Sequence, residues 1–367
     1  MLRHRKAVLS LLALMSFGAG SACAGPAYTV TVVPTLPGDF GGGAISLNAS
    51  GQVIGSNNTL SGHGAGYLYS NGTLTNLGLL PGGTSCGPQC INASGQIVGS
   101  ADDASGFGKA FLYQNGTMTD LGTLPGDWLS AANGINASGE VVGVSGSFTA
   151  HAFLYSNGAM TDLSASTGVY GSATAINDSG QIVGIAELTS DPNGPTHAFN
   201  FTTSTDLGTL GGVSSFASGI NAGGQIVGLA DTASGAWHPF LYGNGHMIDL
   251  GTLAGFADGQ AAAINSAGQI VGTLENPTTG AQCPFIYTGG KMVDLNSLID
   301  PTLHYTLQGA GAINDSGQIV ADGMDAGGGY LSVVLTPVPE PSMLLLLGVA
   351  ALSVLAWKRV GCRNRRH

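Results

Sequence analysis

A nine-residue motif occurs seven times in the chain, and this repetition limits the possible folds more than any other sequence feature. The first copy spans Leu47–Gly55 and reads LNASGQVIG; later copies start at Ile91, Ile135, Ile176, Ile220, Ile264 and Ile313. The spacings are 44, 44, 41, 44, 44 and 49 residues. Such a period predicts a repeat array in which each unit buries its apolar face against its neighbours.

Turn signals divide each unit into four short strands. In the third unit the predicted strands cover about residues 130–136, 140–145, 151–156 and 159–165. An Asn-x-x-Gly turn of type I joins the first two strands, and Ser-Asn-Gly joins the last two in the same manner. Four antiparallel strands every 44 residues predict a blade of a β-propeller, because this period is too long for one coil of a β-helix.

The N-terminal end of the repeats supports closure of a ring. A third motif, typified by Met118–Leu124, occurs six times after the first Asn motif, whereas the other motifs occur seven times. The missing copy lies at the start, where Tyr28–Pro34 leads into Thr35–Asp39, and the pentapeptide of Thr35–Asp39 recurs two periods later as Thr123–Asp127. We therefore predict an all-β, seven-bladed propeller over residues 25–336, in which the first strand completes the last blade. An open solenoid is the alternative.

Residues 1–24 have the three parts of a secretory signal peptide. A basic start precedes an apolar helix-forming run from Ala7 to about Ala19, and small residues follow. The predicted cleavage lies between Ala24 and Gly25. A lipoprotein signal, with Cys23 as the lipidated residue, is a weaker alternative because Gly20 stands where a Leu is usual.

The C-terminal residues 337–367 have the composition of a membrane sorting tail. Pro339, Glu340 and Pro341 precede an uncharged run at 343–357, which is followed by a basic flank that starts with Lys358 and Arg359. As a helix these 15 residues measure about 22 Å, which is short for a permanent span. The flank should stay cytoplasmic and leave the repeats on the periplasmic side of the inner membrane. A plain single-span anchor is the alternative.

This tail resembles the PEP-CTERM family of exported bacterial proteins in its Pro339–Pro341 motif, its apolar run and its basic end. The resemblance implies processing by an exosortase, a membrane peptidase or transpeptidase. It also implies a Gram-negative host that makes exopolysaccharide, a transient stay in the inner membrane, and release to the cell surface or the extracellular matrix. The repeats resemble the HAF repeats of extracellular bacterial proteins at His151–Phe153 and His197–Phe199, a family that implies location and no established chemistry.

The distribution of charge excludes one class of partner. Between residues 25 and 341 the chain has two basic residues, Lys109 and Lys291, and all 21 acidic residues, for a formal charge of −19. Such a body cannot neutralise phosphates, so we expect no binding to nucleic acid.

The strongest candidates for catalysis are His151, His197 and His238, at the starts of third strands. The matching positions elsewhere carry Ala65, Lys109, Cys283 and Gly328, which do not form one ligand set, so we predict a packing or turn role. A recurrent aspartate in the fourth strand is predicted to bind neighbouring backbone N–H groups rather than calcium; it occurs as Asp120, Asp162, Asp206, Asp249 and Asp294. No nucleophile elbow, zinc spacing or phosphate loop occurs, so we predict no enzyme and no cofactor.

Two cysteines lie close together in the second unit. Cys86 and Cys90 bracket Gly87-Pro88-Gln89, which reads as a turn, and the exported protein would meet an oxidising compartment. We predict a disulfide between Cys86 and Cys90, with free thiols as the alternative.

Loops on one face are the predicted binding surface. In an antiparallel meander, the loops between the second and third strands share a face with the loops that join the blades, and both sets vary in sequence. The inter-blade loops contain Phe40, Trp128, Phe216 and Phe256, whose rings could contact sugars or pack over blade ends. We predict a non-catalytic protein that associates with glycan or exopolysaccharide. An enzyme with paired carboxylates or a His–Tyr set in one pocket, and a ligand-free spacer, are the alternatives.

Overall fold

The computed structural model describes residues 27–37, 40–59, 62–188 and 194–339, which form seven four-stranded antiparallel sheets, here called blades 1–7. The first strand, β1 (Tyr28–Val33), belongs to blade 7. Blade 1 contains β2 (Phe40–Leu47), β3 (Val53–Asn58), β4 (Gly64–Ser70) and β5 (Thr73–Asn76). Blade 2 contains β6 (Cys86–Ile91), β7 (Ile97–Asp102), β8 (Gly108–Gln114) and β9 (Thr117–Asp120). Blade 3 contains β10 (Leu129–Ile135), β11 (Val141–Gly146), β12 (Ala150–Ser156) and β13 (Ala159–Asp162).

The second half of the chain repeats this order. A short helix, α1 (Leu163–Thr167), follows blade 3. Blade 4 contains β14 (Tyr170–Ile176), β15 (Ile182–Glu187), β16 (Thr196–Asn200) and β17 (Thr205–Asp206). Blade 5 contains β18 (Gly211–Ile220), β19 (Ile226–Thr232), β20 (Trp237–Gly243) and β21 (His246–Asp249). Blade 6 contains β22 (Asp258–Ile264), β23 (Ile270–Glu275), β24 (Gln282–Thr288) and β25 (Lys291–Asp294). Two 3₁₀ turns follow, Leu295–Leu298 and Pro301–Leu303, and β26 (Thr306–Ile313), β27 (Ile319–Met324) and β28 (Tyr330–Pro337) form blade 7.

Blade 7 is completed by the N-terminal strand, as the sequence predicts. Its strand order is β1-β28-β27-β26, and β1 pairs antiparallel with β28 from Tyr28 opposite Pro337 to Val33 opposite Ser332. One buried cluster joins Val33 and Val334 of blade 7 to Tyr67 of blade 1. The predicted seven-bladed propeller is therefore confirmed, and the solenoid alternative is excluded.

The blades pack face to face through one buried layer between each pair. A typical layer places Val98 and Ala110 of blade 2 against Ile135, Val141 and Phe153 of blade 3. The large residue of the third strand is fully buried in most blades, and removing such a ring from water stabilises the fold by about 2–3 kcal/mol; the completely buried rings are Phe111, Phe153, Phe240 and Phe285.

A β-bulge recurs in the innermost strand of every blade. The residues at the bulges line a central channel of about 320 Å³; they include Ile45, Gln89, Asn133, Thr174, Ser218, Ala262 and Gly311. Two bulge side chains also tie blades together, since Asn133 donates to the Ala173 carbonyl at 2.8 Å and Thr174 donates to the Ala217 carbonyl at 2.8 Å.

The asparagine of the repeat motif forms a closed ring of hydrogen bonds around this channel. Each side-chain nitrogen donates to the backbone carbonyl of the corresponding asparagine in the next blade, at 3.0–3.4 Å, and the seventh donates back to the first. The members, all buried, are Asn48, Asn92, Asn136, Asn177, Asn221, Asn265 and Asn314. The side-chain oxygen accepts from the backbone N–H four residues later, so the same amide caps its turn and joins two blades.

The turns differ from one another more than the sequence suggests. In the Asn-x-x-Gly turn of blade 1, Gly51 donates to the Asn48 carbonyl and has φ 74°, as a type I turn followed by a left-handed residue requires. The Asn-Gly turns between third and fourth strands have positive φ at both residues, for example 54° at Asn157 and 80° at Gly158. Those values belong to a type I′ turn, so the prediction of one turn type for both positions was wrong.

Several predictions fall on residues outside the described ranges. They are the signal helix with its cleavage site at Ala24 and Gly25, the sorting residues Glu340 and Pro341, the apolar span 343–357, and the flank Lys358 and Arg359. Pro339 is described and exposed. Within the described ranges, no helix has the length and apolar character needed to cross a membrane.

Candidate binding face

The two faces of the propeller carry different loops, as predicted from the meander. The Asn-x-x-Gly and Asn-Gly turns lie on one face, the short-turn face. The loops between second and third strands lie with the inter-blade loops on the other, the long-loop face. The first and last strands of the propeller begin and end at the short-turn face, because Tyr28 begins β1 opposite Pro337, where β28 ends.

Three aromatic side chains converge on the long-loop face between blades 2 and 3, and we call them the aromatic cluster. Phe107 precedes β8, Trp128 precedes β10 and Phe148 lies between β11 and β12. The ring centroids of Phe107 and Trp128 are 6.2 Å apart, and those of Trp128 and Phe148 are 5.1 Å apart in an edge-on arrangement. The three residues are 43%, 47% and 90% exposed, so their rings present an apolar surface to water.

Lys109 holds the Trp128 loop in place. Its ammonium group donates to the Trp128 carbonyl and lies 3.8 Å from the Asp103 carboxylate. The charge of Lys109 is thereby paired beneath the cluster, and the aromatic surface has no free cation in the part of the chain that the structure describes. The cluster is therefore suited to an uncharged ring rather than to an anion.

The other predicted contact residues do not join this cluster. Phe216 is half-buried and packs on Trp237, with ring centroids 5.6 Å apart, and Phe256 packs against the buried layer of blade 6. Phe40 begins β2, and its side chain lies outside the described structure. Sequence reasoning missed Phe107 and Phe148, although each is the one aromatic residue in a loop of otherwise small or polar residues.

A second concave region lies between blades 5 and 6 on the same face. Its volume is about 300 Å³, and Trp237, Gln260 and Gln282 line it together with two carboxylates. Asp258 and Glu275 are directly opposite each other on β22 and β23. Asp258 also accepts a hydrogen bond from the Trp237 backbone N–H at 2.9 Å. We call this region the blade 5–6 cleft.

The candidate histidines form pairs with the recurrent aspartates. His151 Nδ1 lies 3.3 Å from Asp162, and His197 and His238 make equivalent contacts at 2.8 and 2.9 Å. In blade 6, Cys283 takes the histidine position. Burial and the neighbouring Asp294 carboxylate raise the pKa of this thiol to about 12. Each pair belongs to a separate blade, so the three histidines do not share a site.

The recurrent aspartate also binds backbone N–H groups, as predicted. Its oxygen accepts from the N–H two residues later at 2.7–2.8 Å in blades 2 to 6. In blade 3, Asp162 is the N-cap of α1, and for this reason β13 ends at Asp162 rather than at the predicted residue 165. Among the described residues, no group of three or more His, Cys, Asp or Glu side chains could hold a metal ion.

The structure contradicts the predicted Cys86–Cys90 disulfide. Both cysteines are free thiols on β6, where the predicted turn is an extended strand with a bulge. Four residues of strand extend about 13 Å, well beyond the ~7 Å limit for bridged Cα atoms. Burial raises the pKa of the Cys86 thiol to about 12, so it packs as an apolar group.

A half-buried carboxylate in blade 7, that of Asp322, gives a testable pH dependence. Burial raises the pKa of Asp322 above its usual 3.8. The ionised form therefore opposes folding, an effect that is absent below about pH 3.8 and grows as the pH rises through the folded-state pKa. We expect Asp322→Asn to raise the melting temperature by a few degrees at pH 7. Thermal unfolding across pH 3–8 checks this, and an advantage that persists undiminished at pH 3 contradicts the charge-based cause.

Comparisons with known proteins support the tail and the fold. Residues 337–360 match the PEP-CTERM protein-sorting motif, which confirms that prediction and implies an exported protein with an exosortase-processed tail. The HAF resemblance stays a prediction. No curated protein matches the chain.

Several solved structures resemble the chain at low identity. A puromycin-hydrolyzing peptidase of Mycobacterium tuberculosis is 12% identical, with a TM-score of 0.52 over 85% of this chain and 53% of that one. TolB from Acinetobacter baumannii is 12% identical over 84% and 80%, with a TM-score of 0.41. Aleuria aurantia lectin is 13% identical over 84% and 99%, with a TM-score of 0.34. Similarity at this level shows the fold alone, and the sorting motif at residues 337–360 implies export.

Proposed function

We propose that this protein is a non-catalytic component of the cell surface or extracellular matrix that binds glycan through the aromatic cluster on its long-loop face. An exosortase would process its tail at the inner membrane before release. The observation that carries the proposal is the convergence of Phe107, Trp128 and Phe148 from three loops of two blades, with their rings exposed. Apolar faces of sugar rings are bound by such aromatic surfaces through hydrophobic contact.

The position of the chain ends supports this assignment. The sorting tail continues from β28 at the short-turn face, and the aromatic cluster lies on the opposite face. While the tail is held at a membrane, the long-loop face would therefore point away from it. That orientation leaves the cluster accessible to extracellular polymers.

The charges of the propeller favour an uncharged polymer. Lys109 is paired with Asp103, and the remaining basic residue of the propeller, Lys291, lies on the outer strand of blade 6. Acidic residues outnumber these two cations, so a polyanionic glycan would be repelled. We therefore expect neutral polysaccharides to bind more tightly than polyuronates at low salt.

Removal of the central indole tests the proposal. Calorimetry of the full chain with neutral and anionic polysaccharides should show saturable binding of a neutral polymer, with no shortening of the polymer. Trp128→Ala should weaken binding roughly 10-fold or more, because an exposed central aromatic carries much of such an interface. The control is Ile248→Ala, which truncates an equally exposed apolar residue on the outer strand of blade 5. Equal affinity in Trp128→Ala and wild type would overturn the assignment of the cluster.

The blade 5–6 cleft favours one alternative function, an enzyme acting on polysaccharide. Asp258 and Glu275 are adjacent carboxylates beside the Trp237 indole, and most glycosidases use a pair of carboxyl groups for catalysis. Shortening of any polysaccharide in the panel, lost in Glu275→Gln, would establish this alternative. If no glycan binds and none is cleaved, a ligand-free spacer or a protein-binding role replaces both.

A further inference from the structure

The junction where the ring closes contains a cavity that departs from the repeat pattern. It lies between blades 7 and 1, has a volume of about 310 Å³ and opens between β28 and the start of β2. That volume is at the lower end of the roughly 300–1,000 Å³ typical of small-ligand pockets. Its polar lining comes from Thr35, Asn57, Tyr67, Tyr330 and Ser332, and it includes no residue with a charged side chain.

Asn57 is the first residue of this cavity that departs from the repeat pattern. It is 2% exposed, lines the cavity, and its side-chain nitrogen has no hydrogen-bond partner among the described residues. The same register position in the other blades carries small or apolar residues, namely Ala101, Ser145, Ala186, Ala230, Leu274 and Gly323. A buried amide donor without an acceptor destabilises a protein, so packing alone does not explain its presence here.

Two further polar substitutions line the same cavity. Tyr67 stands opposite Gly55, where five other blades have a phenylalanine opposite the matching residue. Ser332 stands where other blades have Ala, Pro or Gly, and its hydroxyl accepts the Ala44 N–H at 3.0 Å. The chain therefore adds three polar groups to one cavity, at positions where the other blades carry small or apolar residues.

The cavity lining stays uncharged across the physiological range. Burial, with a smaller effect of the neighbouring Tyr330 phenol, raises the pKa of Tyr67 far above its usual value. Burial also raises the pKa of Tyr330, which is half exposed at the cavity mouth. An uncharged lining with an unpaired buried donor selects a neutral ligand that brings an oxygen acceptor.

We propose that this cavity binds a single neutral sugar residue, with a hydroxyl, ring or carbonyl oxygen of the sugar accepting the Asn57 amide proton and the Tyr330 ring covering one sugar face. The inference rests on the proposed function for the ligand being a glycan, but it assigns a second site, distinct from the aromatic cluster. A terminal or isolated sugar residue fits the size of this partly open cavity, whereas the exposed cluster suits the side of a long polymer.

Variants that restore the repeat pattern test the site without threatening the fold. Asn57→Ala and Tyr67→Phe each introduce the residue that other blades carry at that position, so both should fold at least as well as the wild type. We expect the full chain to bind a tetramer of glucose or of N-acetylglucosamine, and Asn57→Ala to weaken this binding roughly 10-fold. Tyr67→Phe should weaken it roughly 3-fold, and a glucuronate tetramer should not bind.

Two further measurements separate this site from the aromatic cluster. The side-chain amide resonance of Asn57 should shift on addition of the bound tetramer, which a merely structural asparagine would not show. Trp128→Ala should leave tetramer binding unchanged while it weakens polymer binding. Unchanged tetramer affinity in Asn57→Ala, or an unshifted Asn57 resonance, overturns the cavity site and leaves the cluster proposal intact. Loss of tetramer and polymer binding together in Trp128→Ala assigns both ligands to the cluster and also overturns the second site.

Discussion

Replacement of Gly228 by alanine should destabilise the propeller by about 3 kcal/mol or more, because the added methyl group overlaps backbone. A Cβ at this position would lie 1.9 Å from the Phe216 carbonyl oxygen and 2.9 Å from the buried Phe240 ring. The bulge in the innermost strand brings that carbonyl close to the second strand, and glycine occupies the position in six blades: Gly55, Gly99, Gly143, Gly184, Gly228 and Gly272. Thermal unfolding should show a fall of roughly 5–10 °C.

Gly243→Ala is the matched control within blade 5. A Cβ there would meet only the Gln225 Cγ at 3.9 Å, and Gly243 does not have positive φ. Its unfolding free energy should stay within about 0.5 kcal/mol of the wild type. Equal effects of the two substitutions would show that lost chain flexibility, and not overlap with the Phe216 carbonyl, decides the outcome.

Conversion of Asn92 to aspartate should break the asparagine ring at one point and cost about 2–3 kcal/mol. The wild-type amide donates to the Asn136 carbonyl at 3.0 Å and to Gln96 at 2.7 Å, and its oxygen accepts the Gln96 N–H. Aspartate keeps the acceptor but places a buried carboxylate oxygen against a carbonyl oxygen. The loss should narrow as the pH falls toward about 4, because the buried carboxyl then becomes protonated and can donate again.

Asn115→Asp makes the same chemical change in an exposed Asn-Gly turn of the same blade. Asn115 has φ 51°, which aspartate also tolerates, so this variant should unfold at nearly the wild-type temperature. A comparison of both variants by thermal unfolding at pH 4 and pH 7 isolates the contribution of the asparagine ring to stability. A pH-independent deficit in Asn92→Asp would argue against the loss of the inter-blade donor as its cause.

The repeat pattern was sufficient to predict the fold. Each unit has four predicted strands, and the copy of the third motif that is missing after the last unit lies at the N-terminus, so few arrangements other than a closed ring are possible. Closure through β1 followed from counting motifs. The asparagine ring was not predictable, since a turn explains Asn-x-x-Gly without any reference to the next blade. The prediction of a Cys86–Cys90 disulfide was wrong because it also considered the local sequence alone. A Gly-Pro sequence suggests a turn, but pairing with β7 keeps β6 extended.

The candidate binding face was predictable only in outline. Strand alternation places the long loops on one face, but no periodicity relates Phe107, Trp128 and Phe148, which come from three separate loops. The sequence therefore identified Trp128 and gave no reason to prefer it to Phe216 or Phe256. The cavity at the junction becomes visible once the strand register aligns the blades, because Asn57 and Tyr67 are departures only by comparison with the residues at the equivalent positions of the other blades.

The double pairing of β28 has a mechanical consequence for a chain held by its C-terminus. Tension applied at Pro339 enters β28 along its own axis, and this strand is bonded to β27 on one side and to β1 on the other. Because the hydrogen bonds of an antiparallel ladder are perpendicular to its strands, the load acts on both ladders in shear. The bonds then resist together, whereas an outermost strand pulled sideways would peel away pair by pair. A propeller held at Pro339 would therefore be attached through a strand that resists unfolding by an external pulling force more strongly than an outermost strand does.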